Sequence, residues 1–172
     1  MRIAIYAGTF DPVTLGHLSV IREGAEAFDK LIVLVADNPK KKPLFTVAER
    51  QELISQATRE LDNVAVDASS ELVVQYARAL GARFLIRGIR DAMDMEYETS
   101  LANINRVLAP EIITFFVPAD PRLLSVSSTR LKEMAQSDEN GAECCPEGVW
   151  PALLRKMRAP TRMVTQQASA DL

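Results

Sequence analysis

The sequence predicts an α/β fold: a doubly wound sheet of five parallel strands with helices on both faces. Short, continuously apolar runs suit strands that are covered on both sides. They alternate with segments whose apolar residues recur at helical spacing, and Gly, Pro, Asp and Asn residues separate the two kinds of segment. Because apolar runs and helical segments alternate, we expect the strands to pair in parallel through crossover helices.

The start of the chain contains the clearest strand–turn–helix unit. An apolar run from Ile3 to Tyr6 ends at a turn around Gly8, and a helix is expected to begin at Gly16 and His17. The start of a helix presents unpaired N–H groups and the positive end of the helix dipole, which favour anions such as phosphate. His17 is the only histidine in the chain. This unit therefore predicts a site for a nucleotide triphosphate.

The other elements follow in chain order. Further strands are expected at 31–36, 64–66, 84–86 and 112–117, and further helices after Thr46, from Ser70 to Gly81, over 93–108, after the hydroxyl residues 127–129, and near 149–157. We expect the 138–148 segment to be irregular and exposed. From residue 158 the sequence consists of polar and small residues without periodicity. We therefore expect one domain over 1–157 and a flexible C-terminal tail over 158–172.

The predicted topology groups side chains that are distant in the sequence. Ligands of doubly wound sheets bind beyond the carboxyl ends of the strands, near the point where the strand order reverses. Thr9 follows the first strand, Lys41 the second, Arg87 and Arg90 the fourth, and the hydroxyl residues 127–129 the fifth. Cations and N–H donors around a phosphate-sized space suit phosphoryl or nucleotidyl transfer. The group contains neither a nucleophile–base pair nor a carboxylate cluster, so we expect no metal held by the protein alone.

The composition excludes several classes of protein. A net charge of −3 gives no basic field for nucleic-acid binding. The sequence has no apolar run long enough to cross a membrane, and no signal-peptide pattern at its start. Cys144 and Cys145 are adjacent, without the spacing of a disulfide framework or a zinc site. We therefore expect a reduced, cytoplasmic protein with no nucleic-acid or membrane partner.

Four sequence blocks resemble those of one enzyme family. GTFDPVTLGH, residues 8–17, is similar to the (H/T)xGH signature of the nucleotidyltransferase superfamily, and VSSTRLKE, residues 126–133, to its second signature, ISSTxxR/K. With NPKKKPLFTVAER at 38–50 and LIRGIRDAMDMEYE at 85–98, the set resembles the phosphopantetheine adenylyltransferases. The resemblance extends in register to about residue 157, and it implies a Rossmann-like fold.

The resemblance also implies an activity. The expected reaction is the reversible transfer of the adenylyl group of ATP to 4′-phosphopantetheine, which gives dephospho-CoA and pyrophosphate by direct in-line attack, without a covalent intermediate. The resemblance further implies Mg2+ that accompanies ATP and is held mostly by phosphate oxygens and water. A homohexamer, with coenzyme A as a feedback ligand, is implied in the same way.

The same resemblance assigns roles to residues. It implies that His17 stabilises the transition state, that Thr9 and Lys41 orient the acceptor phosphate, and that Arg90 belongs with them among the catalytic residues. The implied ATP-binding residues are Thr9, Phe10, His17, Gly88, Ile89, Arg90, Glu98, Leu123, Leu124, Ser125, Val126, Ser127, Ser128 and Thr129. The implied acceptor-binding residues are Thr9, Lys41, Leu72, Val73 and Arg87.

Each assignment has a simpler structural alternative. His17 can be a helix-start residue bonded to nearby backbone, and the lysines at 40–42 can be a solvated run. Arg87 and Arg90 can form surface salt bridges, and the hydroxyl residues 127–129 can be helix caps alone. Glu98 is the weakest candidate, because a glutamate on a charged helix is usually solvated.

Departures from the family pattern leave rival functions open. Ala7 stands where proline is usual, Leu15 where a polar residue is usual, and Leu123 where an aromatic residue is common. These changes bear on nucleotide affinity more than on reaction type. One rival is a sister nucleotidyltransferase for nicotinate mononucleotide or glycerol phosphate, although those enzymes usually carry HxGH and this chain has Thr14. The other is a non-catalytic nucleotide-binding protein.

Overall fold

Five parallel strands form a single sheet in the computed structural model, which describes residues 1–37 and 42–158. The strands are β1 (Ile3–Gly8), β2 (Lys30–Ala36), β3 (Val64–Ser69), β4 (Phe84–Ile89) and β5 (Ile113–Pro118). Their order across the sheet is β3-β2-β1-β4-β5, and every neighbouring pair is parallel. The strand order therefore reverses between β1 and β4, as expected for a doubly wound sheet.

Six α-helices accompany the strands in the described part of the chain. They are α1 (Leu15–Ala27), α2 (Val47–Ala57), α3 (Val73–Ala79), α4 (Ala92–Leu108), α5 (Ser128–Gln136) and α6 (Val149–Arg158). The side chains of Thr14, Thr46, Asp91 and Ser127 accept an N–H from the first turns of α1, α2, α4 and α5, which explains where these helices begin. Within the described residues, no helix has the length and hydropathy of a membrane span.

Each face of the sheet carries its own apolar core. The core on one face joins the sheet to α1, α2, α5 and α6 through side chains such as Ile21, Ile54 and Leu153. The core on the other face joins it to α3 and the end of α4 and includes Ile5 and Val74. The central strands are continuously apolar because both of their faces are covered. The predicted fold class is confirmed.

Three details of the predicted elements are wrong. The strand β3 is longer than the predicted 64–66 and continues to Ser69. Ser70 does not cap α3, because the residue before that helix is Leu72, whose side chain makes no capping bond. The β4 strand continues to Ile89, so Arg87 lies within the strand rather than after it. The strand continues past the apolar residues because β4 stays paired with β5 through Gly88 and Ile89, which lie opposite Val117 and Pro118.

The 138–148 segment is irregular, but it is not exposed throughout. It contains a short 3-10 helix at Ala142–Cys144, and both Gly141 and Cys145 are buried. The ring of Trp150 and the side chain of Leu131 lie directly against Gly141. The segment therefore packs between α5 and α6. Most of the predicted tail, from residue 159 onward, lies outside the described residues.

Candidate active site

A cleft of about 610 Å³ opens at the carboxyl ends of β1 and β4. Thr14, Gly16 and His17 at the start of α1 line this cleft, and so do Ser128 and Thr129 at the start of α5. The N–H groups and dipoles of both helix starts favour a negatively charged ligand. The cleft lies at the reversal of strand order, where the topology predicts a ligand.

His17 is part of the cap of α1. The backbone N–H of His17 donates to Thr14 Oγ1 at 3.3 Å, and the backbone N–H of Thr14 donates to His17 Nδ1 at 3.1 Å. Because Nδ1 accepts this hydrogen bond, the neutral imidazole must carry its proton on Nε2. The bond to nearby backbone, which was the structural alternative for His17, is present, and it leaves Nε2–H as a donor for a ligand.

The surroundings of His17 keep its ring neutral. Burial, and next the positive charges of Arg90 and Arg87, lower the pKa of His17 from 6.5 to about 4. The ring of Phe10 packs edge-on against the imidazole, with 5.0 Å between the ring centroids. At neutral pH, His17 is therefore an uncharged hydrogen-bond donor of fixed orientation.

Arg87 forms a two-pronged ion pair with Glu98. Its Nε and Nη2 atoms donate to the two carboxylate oxygens of Glu98, each at 2.6 Å, and Nη1 donates to the carbonyl oxygen of Ala7. Glu98 is only 8% exposed, so the alternative of a solvated glutamate is wrong. The pair holds the guanidinium of Arg87 against the end of β1.

Arg90 lies just beyond β4 and pairs with Asp94 one helical turn later. Arg90 Nε donates to Asp94 Oδ2 at 2.8 Å, and the backbone N–H of Arg90 donates to the same oxygen at 3.2 Å. The side-chain hydrogen bond between them raises the pKa of Arg90 and lowers the pKa of Asp94. Both residues line the cleft, so a cation is fixed beside His17.

A second cleft, of about 480 Å³, adjoins the first. Ala7, Arg87 and Glu98 line both clefts, so the Arg87–Glu98 pair lies where the two meet. Leu72 and Val73, predicted to bind the acceptor, line the second cleft. The arrangement suits a ligand whose anionic end lies at Arg87 and whose less polar arm extends toward the start of α3.

The three hydroxyl residues at the start of α5 have different partners. Ser127 Oγ accepts the backbone N–H of Arg130 at 3.0 Å, so this side chain is a helix cap. Ser128 Oγ donates to the carbonyl oxygen of Pro12 at 2.8 Å and ties α5 to the loop after β1. Thr129 is exposed and lines the cleft. The capping alternative thus applies to Ser127, although Ser127 also lines the cleft.

Most of the residues predicted to bind ATP come together in the first cleft. Its lining includes Thr9, Phe10, His17, Gly88, Arg90, Glu98, Leu123, Val126, Ser127, Ser128 and Thr129. Among the described residues that were predicted, Ile89, Leu124 and Ser125 are not part of this lining. Lys41 lies outside the described residues, and its neighbour Lys42 lines the cleft.

Sequence reasoning assigned no role to three side chains at or beside the cleft: Asp11, Arg50 and Lys132. Arg50 is only 1% exposed, and its Nη1 donates to the carbonyl oxygen of Thr9 at 2.9 Å while Nη2 pairs with Asp37 at 3.4 Å. It therefore fastens the turn after β1 to the end of β2. The motif blocks contain all three residues, but a motif does not show which groups a side chain contacts.

The chain is similar to known proteins over most of its length. Residues 5–134 match the family model described as cytidylyltransferase-like. A phosphopantetheine adenylyltransferase from Caldanaerobacter subterraneus subsp. tengcongensis is 43% identical over 158 residues, which cover 92% of this chain and 99% of the relative. The family resemblance of the motifs is thereby confirmed.

A solved structure has the same fold at lower sequence identity. The solved protein comes from Vibrio parahaemolyticus and is assigned as a nicotinate-nucleotide adenylyltransferase. It aligns with a TM-score of 0.68 over 90% of this chain and 99% of its own, and its 17% identity makes this a likeness of fold alone. The family model and the 43% identical relative together show that this chain belongs to the phosphopantetheine adenylyltransferase family of cytidylyltransferase-like nucleotidyltransferases.

Proposed function

We propose that this protein transfers the adenylyl group of ATP to 4′-phosphopantetheine, giving dephospho-CoA and pyrophosphate, and that it catalyses the reverse reaction. The observation that carries the proposal is the neutral, oriented imidazole of His17 at a helix start, in a cleft that also holds Arg87 and Arg90. The adjoining second cleft offers space for the arm of the acceptor.

The chemistry requires charge stabilisation rather than proton removal. An oxygen of the ionised acceptor phosphate attacks the α-phosphorus of ATP, a new P–O bond forms, and the bond to pyrophosphate breaks. Negative charge spreads over the non-bridging oxygens in the transition state. The Nε2–H of His17 donates to this charge without giving up its proton, and the N–H groups at the starts of α1 and α5 add to the effect.

Arg87 is well placed to hold the acceptor phosphate. A guanidinium has five N–H donors, and Glu98 and Ala7 take three of them. The remaining donors can face a phosphate where the two clefts meet. Thr9, which lines the cleft, and Lys41, which lies outside the described residues, are proposed to orient the same phosphate.

We propose that Mg2+ enters with ATP. Among the described residues, no group of three or more His, Cys, Asp or Glu side chains is arranged to hold a metal ion. The cleft carboxylates Asp11, Asp94 and Glu98 are each paired with a cation. This donor set fits an ion held by triphosphate oxygens and water, which when bound neutralises part of the triphosphate charge.

A panel of acceptors tests the proposal. Purified protein is incubated with magnesium-ATP and 4′-phosphopantetheine, glycerol phosphate or nicotinate mononucleotide, and pyrophosphate release is followed. We expect release with 4′-phosphopantetheine. Release with only another acceptor would point to a sister transferase, and release with none would favour a nucleotide-binding protein without catalysis.

We further propose that the protein assembles as a homohexamer. Helix α4 has seventeen residues, of which only Glu98 is buried, and it exposes large apolar side chains that include Met93, Tyr97, Ile104 and Val107. Exposed apolar patches of this kind are typical of protein–protein contacts. The outer face of α4 is therefore the surface that we expect between subunits.

Coenzyme A is the proposed feedback ligand. It contains both the adenylyl group and the pantetheine arm of the product, so it would occupy the two adjoining clefts at once and compete with both substrates.

We place the activity in the cytoplasm, because Cys144 and Cys145 are both free thiols, which suits a reducing compartment.

A further inference from the structure

We propose that Asp11 is a positioning residue, which holds the ammonium group of Lys132 at the edge of the cleft where the nucleotide phosphates bind. The inference rests on the proposed nucleotide site and adds to it a residue without an assigned role. Asp11 lies in the loop after β1, and Lys132 lies on α5, one turn from its start. Both side chains line the cleft.

The carboxylate of Asp11 is buried and fully engaged. Asp11 is 7% exposed, and its Oδ1 accepts the backbone N–H of Phe45 at 2.9 Å. Its Oδ2 accepts both the backbone N–H of Leu44 and the ammonium of Lys132, each at 3.0 Å. Burial opposes ionisation, but these donors outweigh it and lower the pKa of Asp11. The carboxylate is therefore charged at neutral pH.

These contacts join three walls of the cleft. Asp11 connects the loop after β1 to the segment before α2 and to α5. A second link runs beside it, from Ser128 Oγ to the carbonyl oxygen of Pro12. Because two bonds fasten α5 to this loop, the start of α5 and the ammonium of Lys132 are presented to the cleft in one arrangement.

The arrangement prepares a flexible cation for an anionic ligand. An ammonium group has three donors, of which Asp11 takes one, so the others can reach phosphate oxygens. A lysine side chain without a partner samples many rotamers, and ordering it on binding costs free energy. Loss of Asp11 should therefore weaken ATP binding while the affinity for the acceptor, held at Arg87, changes little.

A double-mutant cycle tests the role. We measure the Kd for magnesium-ATP by calorimetry, and the Michaelis constant for each substrate, in the full-length wild type, Asp11→Asn, Lys132→Met and the double variant. We expect the Kd for ATP to rise on the order of tenfold in each single variant, as for one lost charge-assisted hydrogen bond. The Kd of the double variant should exceed that of either single variant by less than about twofold, because both changes remove the same interaction. The Michaelis constant for the pantetheine acceptor should change by less than about threefold in Asp11→Asn.

Asp29→Asn is the matched control. Asp29 also accepts a backbone N–H and pairs with an arginine, in both cases Arg2, but it is exposed and remote from the cleft lining. We expect wild-type ATP affinity for this variant. An unchanged Kd for ATP in Asp11→Asn would overturn the proposal. So would a double variant in which Asp11→Asn raises the Kd of Lys132→Met as much as it raises the Kd of the wild type.

Two further measurements keep the outcome decisive. If Asp11→Asn does not fold, Lys132→Arg should keep the ATP affinity within about threefold, because it retains a cation that can pair with Asp11, while Lys132→Met loses about tenfold. Wild-type affinity in Lys132→Met would overturn the proposal. Wild-type protein that binds magnesium-ATP but releases no pyrophosphate would refute the proposed function alone, and the Kd cycle would still decide the role of Asp11.

Discussion

His17 has two tasks in this molecule. Its backbone and ring close the cap of α1 with Thr14, and the same bond fixes the proton on Nε2. Because the ring is neutral, the contribution that we propose for it in the reaction is a hydrogen bond that strengthens as charge develops on the α-phosphate. We expect the binding of ground-state ATP to rely more on Arg90 and on the helix starts.

The first prediction separates these two contributions. His17→Ala should lower kcat by about 100- to 1000-fold, the usual effect of removing one donor to a developing oxyanion, and leave the Kd for ATP within a few-fold. Steady-state kinetics and calorimetry measure the two quantities. His17→Asn serves as the control for the cap, because its side-chain oxygen can accept from Thr14 as Nδ1 does while its amide falls short of the Nε2 position, and kcat should fall to a similar extent. Equal losses in kcat and ATP affinity would make His17 a structural residue.

The second prediction concerns the pKa of His17. Since the chain has a single histidine, its ring resonances in an NMR titration are assigned without ambiguity, and they should titrate near pH 4. The unfolded chain takes up this proton near pH 6.5 and the folded protein does not, so the free energy of unfolding should fall by about 1–3 kcal/mol as the pH drops from 6.5 to 4. This loss of stability between pH 6.5 and 4 should be missing in His17→Asn. A titration near pH 6.5 would contradict it.

Helix starts are the elements that build the cleft. Thr46 and Glu49 form a capping box at the start of α2, where the sequence predicts a helix, and Ser127 caps α5 as predicted, because these patterns depend on residues within one turn. Such local patterns do not predict contacts between side chains of different elements. Glu98 is an example: its place on a charged helix predicts a solvated side chain, and only the fold brings Arg87 beside it to compensate its burial.

The third prediction tests how α5 and α6 pack. A Cβ at Gly141 would lie 2.6 Å from the ring of Trp150 and 3.0 Å from Leu131, although the backbone angle φ of −105° accepts any residue. Gly141→Ala should therefore lower the free energy of unfolding by about 1–3 kcal/mol through overpacking alone. Trp150 is the only tryptophan, so its fluorescence in urea reports the change.

Gly16→Ala is the control for that experiment. A Cβ at Gly16 would meet no atom closer than 3.5 Å, and alanine is favoured over glycine in a helix by about 1 kcal/mol. Its stability should equal or exceed that of the wild type. A Gly141→Ala protein as stable as Gly16→Ala would show that the ring of Trp150 can move aside.

At the scale of the whole molecule, the topology explains how residues far apart in the sequence share one site. Alternating apolar runs were enough to predict the doubly wound sheet, and the switch-point rule then predicted that Thr9, Arg90 and the start of α5 converge. The rule predicts which residues lie close together, but it does not predict which side chains bond to each other. The ion pairs of the cleft could not be predicted, because each depends on side-chain conformations in two elements.

The fourth prediction concerns assembly. Wild-type protein should sediment as a species of six chains of 19.0 kDa each, and Val107→Glu, which places a charge on an 84% exposed apolar position of α4, should shift it to smaller species. Ala27→Glu makes the same change at an exposed position of α1, on the other side of the sheet, and should leave the mass unchanged. Sedimentation velocity decides the matter. A monomeric wild type would contradict the proposed hexamer.

The cap of α1 has a consequence for local opening. Since the imidazole closes the cap through the Thr14 amide, the ring cannot leave its orientation unless that amide loses its partner. Each brief fraying of the first turn therefore takes the molecule out of its competent geometry. Hydrogen exchange at the Thr14 amide then reports how often the cap of α1 opens. Ligands that bind Nε2 of His17 should slow this exchange.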